Sequence, residues 1–289
     1  GAVAVIVADD VYGPLFSMQG TDTTEIPSVS ITKRDGNRLK QSLPSSNSVL
    51  AVENPDVIIR DSAFDNGILI HEYCHGLTTR LTGGPSNQVC IDPRQAKETG
   101  SEGWSDFCTL FVTATNTTER TRTIGSFASW SIEGIRIFPY STDLAINPST
   151  YSFINAAANA PGADATHFVG TIFATVLWDM YWAIIDFEEK KGRLGFNENK
   201  YESGVGGSNI AMQLVVEGLK TQPCYPSFVD SRDAILISDL ILYDEEYKCV
   251  IWESFARRGL GASAVGSTLG TINVEEAFDM PEYCPGPYI

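Results

Sequence analysis

Two histidines and a glutamate fall within five residues of one another in "GILIHEYCHGLTTRL", residues 67–81, and the chain holds only three histidines in all. Successive helical residues turn by about 100°, so on a helix His71 and His75 point the same way, about 40° apart. Two imidazoles at that spacing can hold one metal ion from a single face, and Glu72 lies at the rim of that face. From there its carboxylate can act as base toward a water on the ion, which is hydrolytic chemistry. The plain alternative is a histidine pair on a solvated helix face with no task.

A catalytic zinc usually takes three protein ligands and leaves the fourth position to water. The class that places a third histidine six residues after the second is excluded, because Leu81 stands there. The other route is a glutamate on a following helix, and "TGSEGWSDFCTLFVTAT" (99–115) supplies one. Glu102 opens an apolar-periodic stretch after a Gly-Ser turn, and Asp106 follows at i+4 on the same face. Glu102 can ligate, while Asp106 can accept the outer N–H of a ligand imidazole and so fix its tautomer. Against this stands the general preference of helix first turns for acidic residues.

These side chains need helices to present them, and the apolar spacing predicts helices over 63–81, 99–115, 165–190, 207–220, 230–243 and 246–258. "GGPSN" and "NAAANAPGAD" punctuate the gaps. Residues 1–45 read differently: a strand in "GAVAVIVADD", a loop over 13–24, a second strand at 26–31 and a short helix at 32–43. "PSSNS" (44–48) then reads as a linker. The chain opens on Gly without Met, so the expectation is a processed form or a fragment.

Apolar residues make up 43% and charged residues 19%, a balance that allows a large buried core in 289 residues. The net charge of −16 argues against nucleic acid and anionic lipid as partners, since both are bound by clustered Lys and Arg. No run approaches 18 uninterrupted apolar residues, so no membrane insertion is expected. The six cysteines include no C-x-x-C, and their connectivity is not readable from spacing. Cys74 reads as a small buried hydrophobe. Glu188-Glu189 and Glu245-Glu246 read as solvated faces, and Asn116 heads an N-x-T glycosylation acceptor.

"HEYCHGLTTRLTGGPSNQVC" followed by "SEGWSDF" resembles the fungalysin family of secreted zinc endopeptidases, thermolysin-like Glu-zincins. "RDSAFDNGILI", "QLVVEGLKTQPCYPSFVDSRDAIL" and "KCVIWESFARRGLG" extend the similarity over roughly residues 57–261. Cys74 departs from it, standing where Thr or another small residue is more usual, and the segment "ETGSEGW" is shorter and poorer in glycine. The resemblance implies one catalytic Zn²⁺ on His71, His75 and Glu102, Glu72 as general base and a polypeptide substrate outside the cell. It implies that His167, in "ATHFVGTIFATVLW", hydrogen-bonds the oxyanion, where a lone helix-start histidine would otherwise be read as idle. It also implies a Cys224–Cys249 disulfide.

The first residues, "GAVAVIVADD" and "GTDTTEIPSVSITKRDGNRLK", look like the second half of a protease-associated domain. The expected fold is therefore mainly α: the helical catalytic lobe of a thermolysin-like metallopeptidase at 49–289, preceded by a short α/β, partial protease-associated-like segment at 1–48. The sheet-rich N-terminal lobe, or an N-terminal propeptide, would lie outside this chain. The rival expectation is a catalytically incomplete, zinc-stabilised structural or protein-binding domain. A purely structural zinc site needs ligands but no base, so Glu72 weighs against it.

Overall fold

Asp65 decides where the histidine-bearing helix begins. Its carboxylate accepts the N–H groups of Gly67 at 2.9 Å and Ile68 at 3.3 Å, two donors that a helix N-terminus otherwise leaves unpaired. The computed structural model describes residues 5–8, 28–31, 33–42, 60–115, 118–157, 163–267 and 271–288. Strands β1 (Val5–Ala8) and β2 (Ser28–Ile31) pair in parallel and are followed by α1 (Lys33–Ser42). A 3-10 turn, Ser62–Phe64, precedes α2 (Asn66–Leu81), so the helix expected from residue 63 starts at the Asp65 cap instead. Next come α3 (Ser101–Thr113), β3 (Thr121–Arg122), the single turn α4 (Ser126–Ser129) and β4 (Tyr140–Ser141), which pairs antiparallel with β3. A longer 3-10 segment, Tyr151–Ala157, leads to α5 (Ala163–Lys190). The chain then forms α6 (Gly207–Thr221), α7 (Phe228–Tyr243) and α8 (Lys248–Arg257). The fold is mainly helical, as expected. The stretch 13–24, the linker 44–48 and Asn116 lie outside the described residues.

Helix α5 is the axis of the core. α3, α6 and α8 pack around it, α2 rests on α3, and α7 on α6. From Phe168 to Ile185 nearly every residue is buried, Gly170 and Asp179 included. An apolar helix that is covered all round has no amphipathic stripe to display. Its stretch Ala165–Lys190 contains an 18-residue window apolar enough on average to cross a membrane, which a count of uninterrupted apolar residues misses, and here other elements bury that window completely. Aromatic rings fill the middle: Trp104 on Phe173 at 4.7 Å, Phe173 on Phe228 at 4.5 Å, and Trp178 stacked on Tyr181 at 4.8 Å.

The buried charge midway along this helix is paired with arginines. Asp179 accepts Arg258 Nε at 2.8 Å and Arg257 at 2.7 Å. The remaining donors of the fully buried Arg258 go to the other Asp179 oxygen and to the carbonyls of Ser141, Asn147 and Ser149. The arginine thus ties α8 to α5 and to the segment after β4. Glu188, expected on a solvated face, is buried too and accepts the Tyr247 hydroxyl at 2.8 Å; Glu245 and Glu246 are exposed.

The cysteines are all paired, and the expected Cys224–Cys249 bond is not among them. Cys224 bonds Cys90, and Cys249 bonds Cys284. The sixteen residues of α7 lie between Cys224 and Cys249, and a helix of that length holds its ends about 24 Å apart. α7 thus stands between the two, and each bonds a different cysteine instead. Cys74 is buried as expected, but it is bonded to Cys108 rather than acting as a free hydrophobe.

Candidate metal centre

On α2, His71 and His75 stand one turn apart with ring centroids 4.6 Å from each other. Glu102, in the first turn of α3, brings Oε2 to 3.0 Å from His71 Nε2 and 3.5 Å from His75 Nε2. The three ligand atoms all lie within 4.8 Å of one another. Two atoms bound to one tetrahedral zinc at about 2.0–2.1 Å are about 3.3 Å apart, so this triangle has the size such a cation requires. The donor set of two imidazole nitrogens and one carboxylate oxygen leaves a fourth position open, as a catalytic site does.

The outward-facing ring nitrogens have other partners. His71 Nδ1 donates to Asp106 Oδ1 at 2.7 Å, and Ser105 Oγ sits 3.0 Å from His75 Nδ1. Both Nε2 atoms are thereby directed at Glu102. Asp106 is itself enclosed: Arg136 Nε and Nη2 donate to it at 2.7 and 2.9 Å, and the Tyr140 hydroxyl also donates to it. The carboxylate is wholly buried, which alone would raise its pKa, but the Arg136 charge and the His71 and Arg136 hydrogen bonds hold it well below the usual range. Glu102 is lowered likewise: burial works against its charge, and hydrogen bonds from His71 and His75 prevail. Burial should depress His71, yet its bonds to Asp106 and Glu102 outweigh that and raise it to about 9. A cation held at Nε2 would take the place of a proton there.

Close backbone packing brings His167 to the same place. A Cβ on Gly103 would meet Gly170 O at 2.6 Å, and one on Gly170 would meet Glu102 Cβ at 2.3 Å. Only two glycines allow α3 and α5 to cross this tightly. His167 lies three residues before Gly170, and its Nε2 reaches 3.4 Å from Glu102 Oε2. Its side chain is 42% exposed, against 5% for His71, so it stands at the mouth of the site. Glu72 is exposed on α2 beside the histidine pair and has no ion-pair partner among the described residues. A cleft of about 640 Å³ opens on Glu102 and His167.

The six residues singled out from the sequence therefore lie in one neighbourhood. Ser105, Arg136 and Tyr140 were not foreseen. Ser105 adjoins Asp106, but nothing in the spacing of Arg136 and Tyr140 signals that they enclose a carboxylate thirty residues upstream.

Residues 33–264 match the family described as Fungalysin metallopeptidase (M36), and the chain belongs to that family. It is 41% identical over 221 residues to the extracellular metalloproteinase MEP of Neosartorya fischeri, an alignment covering 75% of this chain and 33% of that protein. Against extracellular metalloproteinase 4 of Arthroderma otae the figures are 44% over 214 residues, 71% and 31%. Extracellular metalloproteinase MEP of Fusarium vanettenii is 39% identical over 227 residues, 77% and 34%. The aligned part is about a third of each relative's length. The family match begins at the first residue of α1, within the segment expected to be protease-associated-like.

Proposed function

We propose that this chain carries the metal-binding part of a secreted zinc endopeptidase, with His71 Nε2, His75 Nε2 and Glu102 as ligands. The observation that carries the reading is the triangle of those three ligand atoms, with Glu72 exposed one residue after His71 on the same helix. Its relatives are named extracellular metalloproteinases, which supports both the reaction class and the location outside the cell.

Zinc, when bound, supplies Lewis acidity, lowering the pKa of water to about 7 and polarising a carbonyl. The chain's own groups do the rest. Glu72 takes the proton of the attacking water on its carboxylate and delivers it to the departing amine nitrogen. His167 donates a hydrogen bond to the carbonyl oxygen as that oxygen gains negative charge. Asp106 keeps His71 in the tautomer whose Nε2 lone pair faces inward, and Ser105 orients His75 in the same way. The buried residues behind Glu102, Trp104 and Phe107 among them, keep bulk water away from the inner side.

The test is elemental analysis of the purified chain and of His75→Ala. The parent should hold about one zinc per chain, and the variant should lose it, because two ligands bind too weakly at low metal concentration. Stoichiometric zinc in His75→Ala would overturn the ligand assignment.

A further inference from the structure

The loop between α2 and α3 is a surface loop that the fold holds unusually firmly. At one end Cys90 is bonded to Cys224, and its carbonyl accepts Tyr225 N–H at 2.7 Å. At the other end the buried carboxylate of Glu98 accepts Phe228 N–H at 2.9 Å, Ser267 N–H at 2.6 Å and the Tyr151 hydroxyl. Thr99 closes the loop on itself by donating to Ile91 O at 3.0 Å. None of these groups takes part in the chemistry above. What they fix in place is "DPRQAK", residues 92–97.

That segment forms one edge of the cleft that opens on Glu102 and His167. The inner wall is apolar, made by Ala157, Ala165, Val169 and Ile272. On the outer edge Arg94 is matched by Asp92, which accepts its Nε at 2.9 Å and its Nη2 at 2.7 Å. Lys97 is exposed and has no ion-pair partner among the described residues. In a chain of net charge −16, an unmatched cation on a rigid loop beside the metal residues is a local exception. The volume, about 640 Å³, is larger than one side chain needs and suits a short peptide segment.

We propose that this cleft receives the substrate segment next to the scissile bond and that Lys97 makes it prefer a residue presenting a carboxylate on an apolar stem. The proposal rests on the endopeptidase reading and adds a substrate class to it. The apolar wall takes up the methylene stem, and the ammonium pairs with the anion at the solvent edge, where such a pair is worth a few-fold in affinity. The carboxylate could belong to a glutamate side chain or to a peptide C-terminus.

The experiment measures binding of fluorescent peptides to zinc-loaded protein carrying Glu72→Gln, so that the peptides stay intact, with zinc content determined on the same samples. Glutamate peptides should bind about 3-fold to 5-fold tighter than their glutamine counterparts at low salt. The preference should fade at about 0.5 M salt, disappear in Lys97→Ala and reverse in Lys97→Glu. Amidating the C-terminus separates the two sources: no effect assigns the side chain, and loss of binding assigns the terminus. A preference that survives Lys97→Ala, or equal binding of all peptides by zinc-loaded protein, overturns the proposal. Loss of zinc with the Lys97-dependent preference intact would instead remove the metal reading and leave the cleft standing.

Discussion

Asp106 Oδ1 lies 2.7 Å from His71 Nδ1, where α2 meets α3, and the same carboxylate accepts both Arg136 donors and the Tyr140 hydroxyl. One buried group thus orients a candidate ligand and anchors the loop before β4. Its two tasks are read by two different measurements on one variant.

Asp106→Ala should weaken zinc binding by about 10–100-fold, because His71 loses the partner that fixes its tautomer. It also leaves Arg136, only 8% exposed, without its counter-ion, a loss of about 3–5 kcal/mol in stability. Chelator competition reads the first effect and denaturant unfolding the second. An unchanged zinc affinity in folded variant would reduce Asp106 to a structural carboxylate.

Glu72→Gln tests the base. Glutamine keeps the shape and can still hydrogen-bond water, but it accepts no proton at neutral pH. Zinc content and far-UV circular dichroism should match the parent, while cleavage of a quenched peptide falls by roughly 10²–10⁴. The assay belongs on the longest available form of the protein, since the chain spans about a third of its relatives. Near-parental turnover rules the mechanism out.

Removing the Cys74–Cys108 bond as Cys74→Ser with Cys108→Ser should cost about 2–4 kcal/mol, typical for a disulfide, here closing a separation of 34 residues. The bond joins α2 to α3, the two helices that carry His71, His75 and Glu102. Zinc should therefore stabilise the double variant by more degrees of Tm than it stabilises the parent, if the metal takes over part of the clamp. Equal zinc-induced shifts would show that the bond and the metal act independently.

Stability should also depend on pH through Asp239. Burial raises its pKa from 3.8 to about 6, with the Tyr247 N–H bond opposing. A carboxyl whose pKa is raised on folding contributes stability that is fully present below about 4 and lost as pH rises through about 6. Asp239→Asn removes the ionisation and keeps an oxygen for Tyr247. Relative to the parent, the variant should gain up to about 3 kcal/mol between pH 4 and pH 8, from a rise of about two pKa units at ~1.4 kcal/mol each. A pH-independent difference would show that Asp239 stays ionised in the folded protein.

What the residues determined by themselves is what depends on neighbours a turn away. His71 and His75 share a face because the helix period is 3.6, and Glu102 and Asp106 share one for the same reason. The apolar spacing sets the six long helices after residue 60 nearly as they stand, with Asp65 and Ser227 as caps. The family likeness in "HEYCH" and "SEGWSD" is local in the same sense.

Tertiary structure decided which local pieces meet. The cysteine pairing depended on distant segments meeting: the loop at Cys90 folds back onto Cys224, and Cys249 meets Cys284. Arg136 and Tyr140 reach Asp106 across thirty residues that leave α3 and run through short elements and turns, where no period carries information. His167 reaches Glu102 because Gly103 and Gly170 let two helix backbones touch, a consequence of missing Cβ atoms on helices more than sixty residues apart. Short-range hydrogen bonds and sterics write a helix into its own sequence. The approach of distant segments is set by how the whole core packs, and no single stretch of the chain contains it.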